Sequence, residues 1–362
     1  MQRKFISLPG DFFRARTLAL GARQHSVPLP DGSSRASGAL NFCCSLVISV
    51  IALAASQPAS SEEPIEIVSF QSLSFPGSVY SPPFLPSVDE AAPATIFGIL
   101  RLPPGTGRVP AVVVTHGCTG FTGAETYWGS SLVQLGVATF LVNSFAGRNI
   151  PRVCTGPHTI SIASLLTDVY RARELLAAHP RVDPKKIALM GFSFGGRTAL
   201  WASYLRFQGR YDPGPSRFAA YLAFYPTNCH IRLVDEDRVD AVPIRIFHGA
   251  ADDATRLGRC KEYVGRLRQA GVDMTLFEYT GAKHWFDNAD LANRQTATGV
   301  VNFSNCTFVE VDGRIIDAGT GQPAGMKSPC VVSEGTFGYD ADAQRQASAD
   351  VQRFLKVLLK LE

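Results

Sequence analysis

The most informative local sequence of this chain is GFSFGG, at residues 191–196. It directly follows the mostly apolar residues 186–190, which are predicted to form a β-strand, and it precedes residues 197–203, which are predicted to form a helix. A serine between glycines at a strand-to-helix turn is typical of a nucleophile elbow. The tight turn lifts the serine hydroxyl clear of the sheet, and the following helix directs backbone N–H groups toward a developing oxyanion. The pattern therefore predicts that Ser193 is a nucleophile, and a glycine-rich turn without chemistry is the alternative.

A nucleophilic serine needs a base and an orienting acid, and both residue types follow downstream in the order acid, then histidine. Asp252 and Asp253 come shortly after the predicted strand at residues 241–247, and His284 follows the predicted strand at residues 272–279. We predict His284 as the general base and Asp252 as the acid that holds its imidazole tautomer. Asp253 is the rival for the acid, because only geometry separates two adjacent aspartates.

Two backbone amides are predicted to bind the oxyanion. One belongs to Phe194, the residue after the nucleophile, and the other is expected in the loop after the third core strand. That strand is residues 110–115, and the loop HGCTG occupies residues 116–120. We assign the second amide to Cys118 and interpret His116 as a packed turn histidine.

Strands and helices alternate along the body of the chain. Further strands are predicted at residues 65–70, 95–100 and 136–142, and helices at residues 160–178 and 340–361. This order predicts an α/β protein, an α/β-hydrolase fold with a mostly parallel sheet flanked by helices on both faces. Residues 286–338 have little periodicity, and we interpret them as an insertion after the histidine loop.

Six segments of the chain resemble the dienelactone hydrolase family of α/β-hydrolases, and within it the exported members that carry cysteines. They are residues 116–120, 143–148, 191–196, 225–229, 249–253 with Cys260, and 283–286. The resemblance covers most of the body and implies ester or lactone hydrolysis by a triad, without a metal or another cofactor. The namesake enzymes use a cysteine nucleophile, whereas residue 193 is serine here. This departure moves the expected substrate from a dienelactone toward a general carboxylic ester.

The expected function is therefore that of a serine hydrolase that cleaves a small-molecule carboxylic ester or lactone through an acyl-enzyme. Its substrate pocket is expected to include Phe145, Arg148, Phe192 and Trp285. An equally good alternative is that the three aromatic residues belong to the core and that Arg148 is a surface cation. A serine peptidase or an acyltransferase on the same fold is the rival function. A non-catalytic binding protein would be expected to lack a member of the triad.

The distribution of charge argues against a nucleic-acid partner. The formal net charge is +4, and the excess of basic over acidic residues lies in the first 60 residues, so the remainder of the chain is close to neutral. The sequence has neither a glycine-rich phosphate loop nor the spacing of a zinc site, and no cofactor is expected.

Residues 1–60 are interpreted as a signal peptide with an N-terminal extension, and residues 61–362 as the catalytic domain. The apolar run at residues 46–55 is too short to span a bilayer, follows a basic stretch and ends in small residues. We expect a secreted or periplasmic protein without stable membrane insertion after signal cleavage. The alternative is an uncleaved anchor formed by residues 44–55.

Six cysteines lie in the body of the chain, and an even number in an exported protein predicts disulfides. Sequence alone permits many pairings. Positions in the expected fold favour Cys118–Cys154, Cys229–Cys260 and Cys306–Cys330. Six buried free thiols are the alternative, expected only for a cytoplasmic protein.

Overall fold

Short apolar runs such as Val109–Thr115 and Tyr221–Phe224 form strands that are buried on both faces, as central parallel strands usually are. A computed structural model describes residues 65–78, 84–155, 159–291 and 295–361, all within one unit, Ala59–Glu362. The predicted signal peptide and the alternative anchor lie outside the described residues.

The strands, in chain order, are β1 (Ile65–Ser74), β2 (Ala92–Arg101), β3 (Val109–Thr115), β4 (Ala138–Asn143), β5 (Val182–Phe192), β6 (Tyr221–Phe224), β7 (Ile231–Arg232), β8 (Ile244–Gly249), β9 (Met274–Tyr279), β10 (Gln295–Asn302), β11 (Phe308–Val311), β12 (Arg314–Asp317) and β13 (Val332–Phe337). The α-helices are α1 (Gly123–Gln134), α2 (Ile162–Ala178), α3 (Phe194–Ala202), α4 (Leu205–Tyr211), α5 (Leu257–Gln269) and α6 (Ala341–Leu359).

Eight strands form the central sheet in the order β1-β2-β4-β3-β5-β6-β8-β9. The pairs β4–β3, β3–β5, β5–β6, β6–β8 and β8–β9 are parallel, whereas β1–β2 and β2–β4 are antiparallel. One face packs against α2 to α5, and the other packs against α1 and α6. The predicted α/β-hydrolase fold is therefore confirmed.

The first helix after β3 was not predicted. Its sequence has weak amphipathicity and glycine at both Gly123 and Gly129, so the helical period is hard to see. Its beginning is nevertheless encoded locally, because Thr122 and Glu125 form a capping box. This signal was available in the sequence.

The insertion at residues 286–338 is more regular than its sequence suggests. β10 pairs antiparallel with β13, and β11 pairs antiparallel with β12 and parallel with β7. These strands are short and contain glycine and polar residues, so they lack the apolar alternation that would have predicted them.

Three disulfides fix the loops around the sheet. They join Cys118 to Cys154, Cys229 to Cys260, and Cys306 to Cys330. These are the pairs that the expected fold favoured.

A buried ion pair between Arg148 and Asp168 links β1 to α2. Arg148 had been predicted to line the substrate pocket. Arg148 donates to both carboxylate oxygens of Asp168, at 2.7 and 2.8 Å, and also to the hydroxyl of Ser74 and the carbonyl of Leu73, both at 2.7 Å. The Asp168 side chain is fully buried and that of Arg148 is 6% exposed. Arg148 is therefore a structural residue and not part of a pocket wall.

Removing one partner of this pair should destabilise the fold. We expect Asp168→Asn to lower the free energy of unfolding by roughly 3 kcal/mol, because a buried guanidinium is left without its counter-ion. Urea denaturation measures the effect, and a double change to Arg148→Met with Asp168→Leu should recover much of it. An unchanged denaturation midpoint for the single variant would refute this role.

Candidate active site

The turn between β5 and α3 holds Ser193 in an unusual backbone conformation. Its φ is 51° and its ψ is −105°, and its amide donates to the carbonyl of Phe224 at 2.9 Å. Non-glycine residues rarely adopt a positive φ, and such strain is concentrated at functional sites. The conformation projects the serine side chain away from the sheet, as the sequence predicted for an elbow.

The flanking glycines are required by close backbone approach. A Cβ atom on Gly191 would lie 2.1 Å from the carbonyl oxygen of Gly195, and one on Gly195 would lie 2.3 Å from that of Thr115. Both contacts involve backbone atoms, so no side-chain movement could relieve them. The elbow therefore excludes every larger residue at these two positions.

The structure brings Ser193, His284 and Asp252 together in one hydrogen-bonded row. The Nε2 atom of His284 lies 2.9 Å from Oγ of Ser193, and its Nδ1 atom lies 2.8 Å from Oδ2 of Asp252. All three residues are buried. The imidazole therefore bridges a hydroxyl and a carboxylate, which is the arrangement that proton transfer from a serine requires.

The carboxylate of Asp252 is held by its own loop. Oδ1 accepts from the amides of Ala254 and Thr255, at 2.9 and 2.8 Å, and Oδ2 accepts from the Thr255 hydroxyl at 2.9 Å. Burial alone would raise the pKa of Asp252, but the charge and hydrogen bond of His284, the charge of His248 and the Thr255 amide bring it below its usual range. Asp252 is therefore ionised at neutral pH.

Asp253 points away from the histidine. Its carboxylate accepts from the amide and the hydroxyl of Thr336, at 2.7 and 2.8 Å. Geometry thus separates the two adjacent aspartates, and Asp252 is the one that contacts His284.

Two residues beside the imidazole were missed in the sequence. The Thr255 hydroxyl lies 3.2 Å from Nδ1 of His284, and the Tyr225 ring centroid lies 4.7 Å from that of the imidazole. The Tyr225 hydroxyl donates to Asp287 at 2.6 Å, and the indole of Trp128 donates to the same carboxylate at 2.8 Å. A threonine three residues after an aspartate is a local turn signal, but nothing local marks Tyr225.

The two predicted oxyanion donors border the same cavity as Ser193. Phe194 is the first residue of α3, so its amide has no acceptor within the helix. The carbonyl of Cys118 accepts from the amide of Val153 at 2.8 Å, and its sulfur is bonded to Cys154. The backbone and the side chain of Cys118 are therefore both held in place.

Glu125 forms a hydrogen bond with the backbone of the same loop. Its Oε1 atom accepts from the amide of Gly117 at 3.1 Å, and burial raises the pKa of this carboxyl to about 7. His116 is buried against the ring of Phe145, at 4.4 Å between centroids, and burial lowers its pKa to about 4. The histidine is therefore a neutral packing residue of the turn.

A cavity of about 720 Å³ opens beside Ser193 and His284. Of the predicted pocket aromatics, Trp285 lines it, whereas Phe145 and Phe192 do not. Phe145 packs on His116, and Phe192 is fully buried against Phe224, 5.0 Å away between ring centroids. Both predictions were wrong because these rings belong to the core on either side of the sheet.

Four arginines, and no aspartate or glutamate, line this cavity among the residues that the structure describes. They are Arg152, Arg197, Arg256 and Arg259. A cavity lined by one sign of charge disfavours ligands of the same sign. The site is therefore better suited to neutral or anionic molecules than to cations.

Within the described ranges, no group of three or more histidine, cysteine, aspartate or glutamate side chains is arranged to hold a metal ion. None of the helices in those ranges has the length and apolar character needed to cross a membrane.

Comparison with known proteins places this architecture among hydrolases. The model of the dienelactone hydrolase family matches residues 96–359. A dienelactone hydrolase-like promiscuous phosphotriesterase from metagenomic libraries has a similar structure, with 17% identity, a TM-score of 0.50, and coverage of 81% of this chain and 98% of that one. An esterase from the planctomycete Thermogutta terrifontis has 18% identity and a TM-score of 0.42, over 53% of this chain and 79% of that one. No curated protein matches the sequence significantly.

Proposed function

Because this chain belongs to the dienelactone hydrolase family, and is thus a carboxylic ester hydrolase, we propose that it cleaves a carboxylic ester or lactone with Ser193, His284 and Asp252 as a catalytic triad. The observation that carries the proposal is the unbroken row of hydrogen bonds from the Ser193 hydroxyl through the imidazole to the Asp252 carboxylate. The strained turn under Ser193 supports it as well.

Acylation begins when Oγ of Ser193 attacks the substrate carbonyl and its proton passes to Nε2 of His284. The ionised Asp252 stabilises the imidazolium that forms. The amides of Cys118 and Phe194 donate to the oxyanion of the tetrahedral intermediate. When the intermediate collapses, the C–O bond to the alcohol breaks and the imidazolium returns the proton to the leaving oxygen.

Deacylation repeats these steps with water. His284 takes a proton from a water molecule, whose oxygen attacks the acyl carbonyl and forms a second oxyanion. Collapse breaks the bond to Oγ of Ser193, which regains its proton from His284. The products are one carboxylic acid and one alcohol, or one hydroxy acid from a lactone.

The sulfur of Cys118 is not a competing nucleophile. It lies at the same cavity as Ser193, but it is bonded to Cys154 and carries no free thiol. In the proposed mechanism, Ser193 takes the place of the cysteine nucleophile of the namesake enzymes. The three disulfides also support a proposed location outside the cytoplasm, in the periplasm or the medium.

Stopped-flow hydrolysis of p-nitrophenyl acetate tests the proposal. We expect a burst of p-nitrophenol equal to the enzyme concentration when deacylation is slower than acylation. Preferential cleavage of a p-nitroanilide peptide would point to the peptidase alternative. Accumulation of a transesterified product when an alcohol is added, with little free acid, would point to an acyltransferase.

The disulfide beside the oxyanion loop should matter more for catalysis than the one in the insertion. Cys154→Ser releases Cys118, and a displacement of about 1 Å in the oxyanion donor costs about 100-fold in rate. Cys330→Ser opens the Cys306–Cys330 link, which joins cysteines 24 positions apart in the sequence, and should cost roughly 3 kcal/mol of stability with less effect on turnover. Acetate turnover and urea denaturation of both variants measure these effects. Equal turnover in the two variants would contradict the expectation.

A further inference from the structure

The antiparallel pair β10–β13, here called the ribbon, contacts the catalytic histidine and lines the same cavity as Ser193. Phe337, at the end of β13, forms a parallel bridge with His284, and the Gly338 amide donates to the His284 carbonyl at 3.1 Å. The Phe337 ring also contacts the imidazole edge-on, at 5.4 Å between centroids. One end of the ribbon is thus fastened to the histidine loop.

The same ribbon is fastened to the aspartate loop. Asp253 accepts from the backbone and side chain of Thr336 in β13. The side-chain amide of Asn302, at the end of β10, donates to the carbonyls of Asp253 and Glu334, both at 2.9 Å. Because both catalytic loops hold it, the ribbon has a fixed position at the wall of the cavity that Ser193 lines.

The ribbon residues that line the cavity are mostly apolar. They are Ala297, Thr298, Val300, Val301 and Phe337. Ile160 and Phe303, which lie outside the ribbon, also line the cavity. The volume of the cavity lies in the upper part of the range for small-molecule pockets. A short acyl group would leave most of this apolar surface without a partner.

We propose that the ribbon is a fixed roof that selects esters with a large apolar acyl group, with Val300 and Val301 as specificity-determining residues and Asp253 as a residue that positions the roof. This inference rests on the proposed function and adds its substrate class. Burial of the acyl chain against the roof contributes binding energy that an acetyl group cannot supply. The positive charge of the cavity's arginines disfavours a cationic acyl chain and does not oppose a neutral one.

The experiment compares kcat/KM for p-nitrophenyl octanoate and p-nitrophenyl acetate. In the native protein we expect octanoate to be preferred. In Val300→Thr with Val301→Thr, the shape and strand propensity are retained while apolar surface is lost, so the octanoate-to-acetate ratio should fall by about tenfold. The matched control is Val311→Thr, on β11 of the same insertion, where the side chain is 47% exposed and outside the cavity lining.

The control should leave the ratio unchanged. Asp253→Ala removes both acceptors of Thr336, so it should lower the ratio without altering covalent labelling of Ser193 by a fluorophosphonate. An unchanged ratio in the double variant, or a native preference for acetate, would overturn the roof inference. The proposed function fails separately, if the native protein hydrolyses neither ester or labels elsewhere than Ser193.

Discussion

Ser193→Ala should lower kcat for p-nitrophenyl acetate by about a million-fold, as loss of a triad nucleophile typically does. The hydroxyl is the atom that bonds to the acyl group, and no other group in the proposed mechanism replaces it. The change deletes one hydroxyl and keeps the tight turn, so the fold should be retained. Steady-state hydrolysis and circular dichroism of the purified variant measure the two effects.

Ser144→Ala is a suitable control for this variant. Ser144 is also fully buried, and its hydroxyl has no hydrogen-bond partner among the described residues. It should retain activity close to that of the native protein. If Ser193→Ala keeps most of its esterase activity, Ser193 is not the nucleophile.

Asp252→Asn should lower the rate by about 10⁴-fold. An amide at this position can donate to Nδ1 of His284, which favours the tautomer that cannot accept the Ser193 proton. The neutral amide also fails to stabilise the imidazolium. The loop that holds residue 252 keeps its other hydrogen bonds, so the loss should be in kcat rather than in folding.

Asp253→Asn is the matched control, because it makes the same change one residue away. Its side chain contacts Thr336 and not the histidine, so the loss of acetate turnover should be far smaller. Assays of both variants with p-nitrophenyl acetate decide between the two aspartates. The opposite ranking would assign the acid to Asp253.

The sequence predicted the features that local chemistry determines. The glycines around Ser193 are demanded by backbone contacts within the turn, so they appear as a local motif. The strands that contain buried apolar runs were predicted from the sequence, but their predicted ends differ from the observed ends by a few residues. For instance, β5 begins at Val182 rather than at residue 186. Since the ends of parallel strands meet at one edge of the sheet, the order of Ser193, Asp252 and His284 was enough to predict that they meet.

The features that distant partners determine were not predictable. Arg148 could have faced the pocket or the core, and it is buried because Asp168 and β1 surround it. In the sequence, Phe145 and Phe192 lie at or just after the ends of strands, which is where the site was expected. His116 packs against Phe145 and Phe224 packs against Phe192, so both rings belong to the core. The ribbon is likewise invisible in the sequence, because β10 and β13 are separated by two other strands.

Covalent labelling with a fluorophosphonate tests directly whether Ser193 is the nucleophile. We expect intact-mass spectrometry of the native protein to show one added phosphonyl group, peptide mapping to find it on Ser193, and esterase activity to be lost in proportion. Ser193→Ala should take up no label. If the native protein hydrolyses esters but remains unlabelled, or if the label lies on any residue other than Ser193, then Ser193 is not the nucleophile.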